Sequence, residues 1–164
     1  GKSFKKIETN VRKYVKETGK KVWISMTINS WNLHEVIEVA EYWKELADGI
    51  NFQIHTPFME NDPLWIPYGT ERNELLDKII SLKQKYPDYV IHEESQINIL
   101  RSPWGGDKTK PIDCPNWAIL VLDHRAESKT PCCLGSAKSD DDKPICEYCG
   151  MSNYSSLFVR GIHI

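Results

Sequence analysis

Between Phe4 and Thr18 the apolar positions Phe4, Ile7, Val11, Tyr14 and Val15 recur three or four residues apart, with Lys and Glu between them. That spacing predicts an amphipathic helix. Ser3 can cap its start, and Gly19 can end it in a left-handed conformation. Beyond Lys21 the period drops to two. Val22, Ile24, Met26 and Ile28 alternate with Trp23, Ser25 and Thr27, which predicts a strand. Asn32 and Glu35 have N-cap and N3 spacing, so a second helix is expected from there. Leu33, Val36, Ile37, Ala40, Trp43 and Ala47 form its apolar stripe, and Asp48-Gly49 stops it. Ile50–His55 reads as the next strand, closed by Thr56-Pro57.

The loop from Phe58 to Gly69 is long for a strand-to-helix connection, and connections of this length are often functional. Thr70 caps a third helix with Leu75, Leu76, Ile79, Leu82 and Tyr86 facing inward. Pro87-Asp88 ends it, Tyr89–His92 is a short third strand, and Ser95–Leu100 holds one or two helical turns. Helix and strand therefore alternate, which implies parallel strands joined by right-handed crossovers. Three parallel strands leave both edges of a sheet open. The expected fold class is α/β: an incomplete parallel β/α barrel, half of a TIM-like barrel, followed by a small cysteine-rich β-hairpin domain. Ser102-Pro-Trp-Gly-Gly-Asp marks the boundary, giving domains 1–101 and 102–164. The missing N-terminal half of the barrel, a partner chain or another copy of this chain would complete the sheet.

Composition narrows the class. Of 164 residues, 40% are hydrophobic and 27% charged, the profile of a soluble globular protein. A net charge of -2 gives no basis for nucleic-acid binding. No apolar run reaches the roughly 20 residues of a membrane span. The N-terminal residues lack the apolar core of an export signal, so a cytoplasmic protein with reduced thiols is expected.

All five cysteines fall between Cys114 and Cys149. Ala118–Leu122 reads as a strand, Lys129–Leu134 as its return, and Asp123–Ser128 as the link of a hairpin. Cys114 precedes the hairpin, Cys132-Cys133 close it, and Cys146-x-x-Cys149 follows an acidic loop. A C-x-x-C pair presents two sulfurs to one ion, and thiolates favour zinc or iron–sulfur over harder metals. Cys114, one of Cys132 or Cys133, Cys146 and Cys149 form a candidate four-thiolate site; adjacent side chains diverge, so only one of the neighbouring pair ligates. Spacing alone slightly favours structural zinc over an iron–sulfur cluster; the bland alternative leaves Cys114 and Cys133 as ordinary buried thiols, with only the C-x-x-C pair binding anything. A thiol enzyme using Cys132-Cys133 is a further alternative, and it would need a depressed thiol pKa.

A cysteine, an I-L-V-L-D strand, then P-C-C-L-G and C-x-x-C-G resembles the auxiliary-cluster regions of radical S-adenosylmethionine (SAM) enzymes, the SPASM and twitch types. K-S-F-K-K-I-E through W-I-S-M-T-I-N is similar to the helix and fifth strand of their partial barrel, and D-G-I-N-F-Q-I-H-T-P to the sixth. The resemblance implies an auxiliary 4Fe–4S cluster on Cys114, Cys132 (or Cys133), Cys146 and Cys149. It also implies that Asn29 and the residues around Gln53 and His55 face SAM or substrate. The C-x-x-x-C-x-x-C motif of the SAM-cleaving cluster is absent, so SAM chemistry would require the missing N-terminal half. A non-catalytic zinc-binding interaction module is the rival expectation.

In parallel barrels reaction sites lie at the C-terminal ends of strands, which adds Thr56 and His92 to the candidates. Each has a plain structural alternative: Asn29 can shape its turn, and His55 and His92 can be hydrogen-bonded framework residues. Trp31, Trp65 and Trp104 line a pocket or pack loops. Glu93 and Glu94 receive no role.

Overall fold

A computed structural model describes residues 2–102, 126, 144, 145 and 148–150. The cysteine-rich hairpin falls outside the described residues. The rest is a mixed α/β unit built on a parallel two-stranded sheet.

Helix α1 (Lys2–Thr18) begins one residue before Ser3, which lies in its first turn. Gly19 ends the helix as expected, at φ 67°, donating its N–H to the Val15 carbonyl at 2.9 Å. Strand β1 (Val22–Ile28) follows, with Met26 and Ile28 buried and Trp23, Ser25 and Thr27 exposed. After a 3-10 turn at Leu33–Glu35, helix α2 (Val36–Trp43) buries Val36, Ala40 and Trp43. Strand β2 (Ala47–Ile54) lies parallel to β1, pairing Met26 with Phe52 and Ile28 with Ile54. Helix α3 (Thr70–Lys85) and the short α4 (Glu94–Ile99) complete the unit.

One face of the sheet carries the core. Met26, Ile28, Ile50, Phe52 and Ile54 pack with Ala40 and Trp43 of α2 and with Leu75, Leu76 and Ile79 of α3. Each of the larger aliphatic side chains and Phe52 contributes about 1.5–3 kcal/mol through apolar burial. The opposite face is polar: Asn51 donates from Nδ2 to Ser25 Oγ at 3.3 Å, and Gln53 is half-buried beside them.

Several boundaries differ from those the sequence predicts. The second helix neither starts at Asn32 nor reaches Ala47. Asn32 turns its Oδ1 inward to the Asn29 N–H at 2.8 Å, so it cannot cap a helix ahead of it. Ala47 opens β2, and Asp48-Gly49 lies within that strand. The glycine serves close approach: a Cβ there would sit 3.0 Å from Ile91 Cγ2. The N-cap of α3 is Gly69, at φ 136°, and not Thr70. The expected third strand contracts to one parallel bridge, Ile50 to Val90.

That contraction has a local cause. Ile50 exchanges both backbone bonds with the third segment, donating to Tyr89 O at 2.8 Å and accepting from Ile91 N at 3.2 Å. Two residues on, the Phe52 N–H donates to the ring nitrogen Nε2 of His92 at 2.9 Å. A side chain takes the place of the next carbonyl, and the third segment turns into α4. Glu93 and Gln96 close a capping box there, which gives Glu93 a structural role that composition alone did not suggest.

Candidate functional site

The C-terminal ends of β1 and β2 lead into two turns that meet. At the end of β1, Asn29 Oδ1 accepts the Trp31 N–H at 2.9 Å, and Asn32 Nδ2 donates to Thr27 O at 3.1 Å. Asn29 stands at the strand end, but its carbonyl oxygen is committed to shaping the turn. Trp31 projects into solvent, 71% exposed.

At the end of β2, the His55 N–H donates to Ile28 O at 2.7 Å, extending the parallel ladder by one residue. Its ring Nε2 lies 2.9 Å from Asp62 Oδ2, and both side chains are largely buried. The other carboxylate oxygen of Asp62 accepts the Leu64 N–H at 2.9 Å. The bond from His55, helped by backbone donors, holds the Asp62 carboxyl below the usual carboxylate range, against the cost of burial. An ionised Asp62 makes Nε2 the donor of this pair and leaves Nδ1 outside it. Asp62 was not singled out from sequence. An Asp ahead of Pro63 in the long loop is the one local signal that points to it.

His92 is a different kind of histidine. It is 4% exposed, and burial, with Lys83 nearby, pushes its pKa down to about 4. It is a neutral hydrogen-bond acceptor for the framework and not a mouth residue.

The segment carrying the last cysteine docks on this end of the sheet. Ile145 N–H donates to Pro57 O at 2.8 Å. The ring of Tyr148 stacks on Trp65 with centroids 4.4 Å apart and planes at 24°. Gly150 then pairs with β2 on both sides of His55: its carbonyl accepts the Ile54 N–H at 3.1 Å, and its N–H donates to the buried Thr56 Oγ1 at 2.8 Å. The outward N–H groups of β2 at Ile50, Phe52 and Ile54 thus have three different partners: a backbone carbonyl, an imidazole and Gly150. A Cβ on Gly150 would lie 2.9 Å from Ile54 Cβ and collide with the Ile54 carbonyl, so no other residue fits. This is the physical reason for a glycine directly after C-x-x-C. Cys149, half-buried, is thereby placed at the C-terminal end of β2.

Cys114, Cys132, Cys133 and Cys146, like Trp104, lie outside the described residues. Among the described residues no three His, Cys, Asp or Glu side chains form a group able to hold a metal, and no helix is long and apolar enough to cross a membrane.

A second residue unforeseen in the sequence reading is Arg72, fully buried in the first turn of α3. Its Nε donates to Leu100 O at 2.8 Å and an Nη to Ile66 O at 3.0 Å, with the guanidinium 4.3 Å from the Tyr68 ring centroid. Burial lowers its pKa. Arg72 lies on the same helical stripe as Leu75, Leu76 and Ile79, a spacing that marks it as inward-facing. It ties the loop carrying Asp62 and Trp65 to α4, and so supports the floor on which Tyr148 rests. No protein-family model, curated protein or solved structure matches this chain.

Proposed function

We propose that this chain is the C-terminal part of a radical SAM iron–sulfur enzyme, a half β/α barrel whose strand ends are capped by a thiolate-ligated auxiliary cluster. The observation that carries the reading is the seating of Gly150 on Ile54 and Thr56, which fixes Cys149 at the end of the sheet where β/α enzymes do their chemistry. Four soft thiolates suit such a cluster: Cys114, Cys132 (or Cys133), Cys146 and Cys149 would hold it. When bound, it supplies a redox centre or a point of attachment for substrate. The chain's own residues do the rest. Gln53 lines the polar face of the sheet. His55, oriented by Asp62, presents Nδ1 to a ligand at the mouth. Stacked Trp65 and Tyr148 keep water from the floor. SAM itself would bind with the remaining N-terminal barrel strands, in a reducing cytoplasm.

Anaerobic purification and metal analysis test this. A brown protein with about four irons and four sulfides per chain is expected. A colourless protein with one tightly held zinc sinks the cluster. That second outcome would favour a zinc-stitched interaction module, a reading supported by the open outer edge of β1.

A further inference from the structure

Charge is distributed unevenly along the chain. Residues 2–21 hold eight of the 21 Lys and Arg but only two of the 23 Asp and Glu, a net charge of +6. The remaining residues together carry -8. The positive excess sits on one surface. Lys5, Lys6, Lys13 and Lys16 are exposed. At about 100° per residue they fall on the half of α1 opposite Val11, which packs on the core. Lys20 and Lys21, also exposed, extend the row past Gly19. The two acidic residues already have partners: Glu8 accepts from Arg12 at 2.8 Å, and Glu17 lies 3.8 Å from Lys13.

The kind of cation and its neighbours select the partner. Seven of the eight are lysines, and the one arginine, Arg12, is engaged with Glu8. Discrete phosphates are gripped best by the arginine fork, whereas lysines are flexible point charges suited to a diffuse negative surface. Apolar side chains border the row: Ile7 is 57% exposed, Tyr14 44% and Phe4 45%. An apolar margin beside lysines with long, bendable stems is the arrangement of a helix lying in the plane of lipid headgroups. A soluble polyanion would neutralise the lysines and leave that margin wet. The acidic remainder of the chain does not cancel the attraction. A helix is about 10 Å thick, and charges are screened over about 8 Å at physiological salt.

We propose that α1 is a membrane-surface helix, which adsorbs the protein to an anionic lipid bilayer with its lysine row at the headgroups and Tyr14 at their depth. The inference is independent of the cluster reading. The lysine row lies on the outer side of the helix layer whatever completes the sheet, and its test reads lipid binding and not iron.

The test is co-sedimentation of the 164-residue chain with vesicles of phosphatidylcholine, with and without about 30% phosphatidylglycerol. Binding to the anionic vesicles alone is expected, weakening at least about tenfold between roughly 50 and 500 mM salt. Each lysine near such a surface contributes about a fivefold factor, so Lys13→Gln with Lys16→Gln should weaken binding roughly thirtyfold. Both positions are exposed on α1, so helix content by circular dichroism should not change. Tyr14→Ser should also weaken binding, which charge alone does not predict. Equal binding to both kinds of vesicle, or full binding by the double lysine variant, overturns the proposal. So does binding to poly-glutamate or duplex DNA as tight as to the vesicles and untouched by Tyr14→Ser, which would assign the row to a soluble polyanion.

Discussion

Replacing Gly150 with alanine tests how Cys149 is held. The added methyl would overlap the Ile54 carbonyl and lie 2.9 Å from Ile54 Cβ. Neither neighbour can yield, since Ile54 is core and paired to Ile28 across the sheet. The docked segment must lift instead. Lifting breaks three hydrogen bonds, Ile54 N–H to Gly150 O, Gly150 N–H to Thr56 Oγ1 and Ile145 N–H to Pro57 O, each worth about 1 kcal/mol net. It also separates the Trp65–Tyr148 stack, worth about another 1 kcal/mol. The sum, about 4 kcal/mol, shifts the docked fraction by roughly a thousandfold. Amide exchange followed by NMR reads this at single residues. The Ile54 amide should lose its protection, whereas Ile50, bonded to Tyr89 O, should keep it. Native protection at Ile54 in Gly150→Ala, or equal loss at Ile50, would refute the docking argument.

Other consequences can be checked alongside. The pKa of His92 is pushed down from 6.5 to about 4 in the folded chain, so the unfolded chain binds the extra proton first. Its contribution is complete above about pH 6.5 and is lost as the pH falls toward 4, about 3 kcal/mol in all; urea midpoints against pH should show this slope, flattened in His92→Gln. Arg72→Met leaves the Ile66 and Leu100 carbonyls without their donor, and the urea midpoint should report a loss of about 2 kcal/mol after allowing for relief of a buried cation. His55→Ala removes the main group holding down the Asp62 carboxyl, so the carboxyl carbon of Asp62 should titrate at higher pH by NMR; an unmoved titration would mean that the Leu64 amide alone sets it.

Much of the fold was written in the periodicity. The stripe of α3, the Val36, Ala40 and Trp43 positions of α2 and the alternation in β1 follow from apolar spacing; α1 departs from it, with Phe4, Ile7 and Tyr14 exposed and only Val11 packed on the core, and so does Ile37 of α2. Boundaries were less legible because single residues have two uses. Gly49 reads as a helix stop but serves close packing against Ile91, and Asn32 reads as a cap but folds back onto Asn29. His92 shortened the third strand by substituting a ring nitrogen for a carbonyl, an exchange no local pattern signals. At the site, the strand-end rule located His55, but the Asp62 partner came from tertiary geometry. The glycine of C-x-x-C-G was visible as a motif; its reason, the crowding against Ile54, was not.

Paramagnetic relaxation in the reduced, anaerobically prepared protein tests the central claim most directly. A cluster held by Cys149 beside β2 should broaden the amide signals of Ile54, Thr56 and Trp65 and leave Val22 and Ala47, at the opposite end of the sheet, sharp. Sharp signals at Ile54 and Thr56 in a protein that carries its full iron would place the cluster elsewhere and contradict the account.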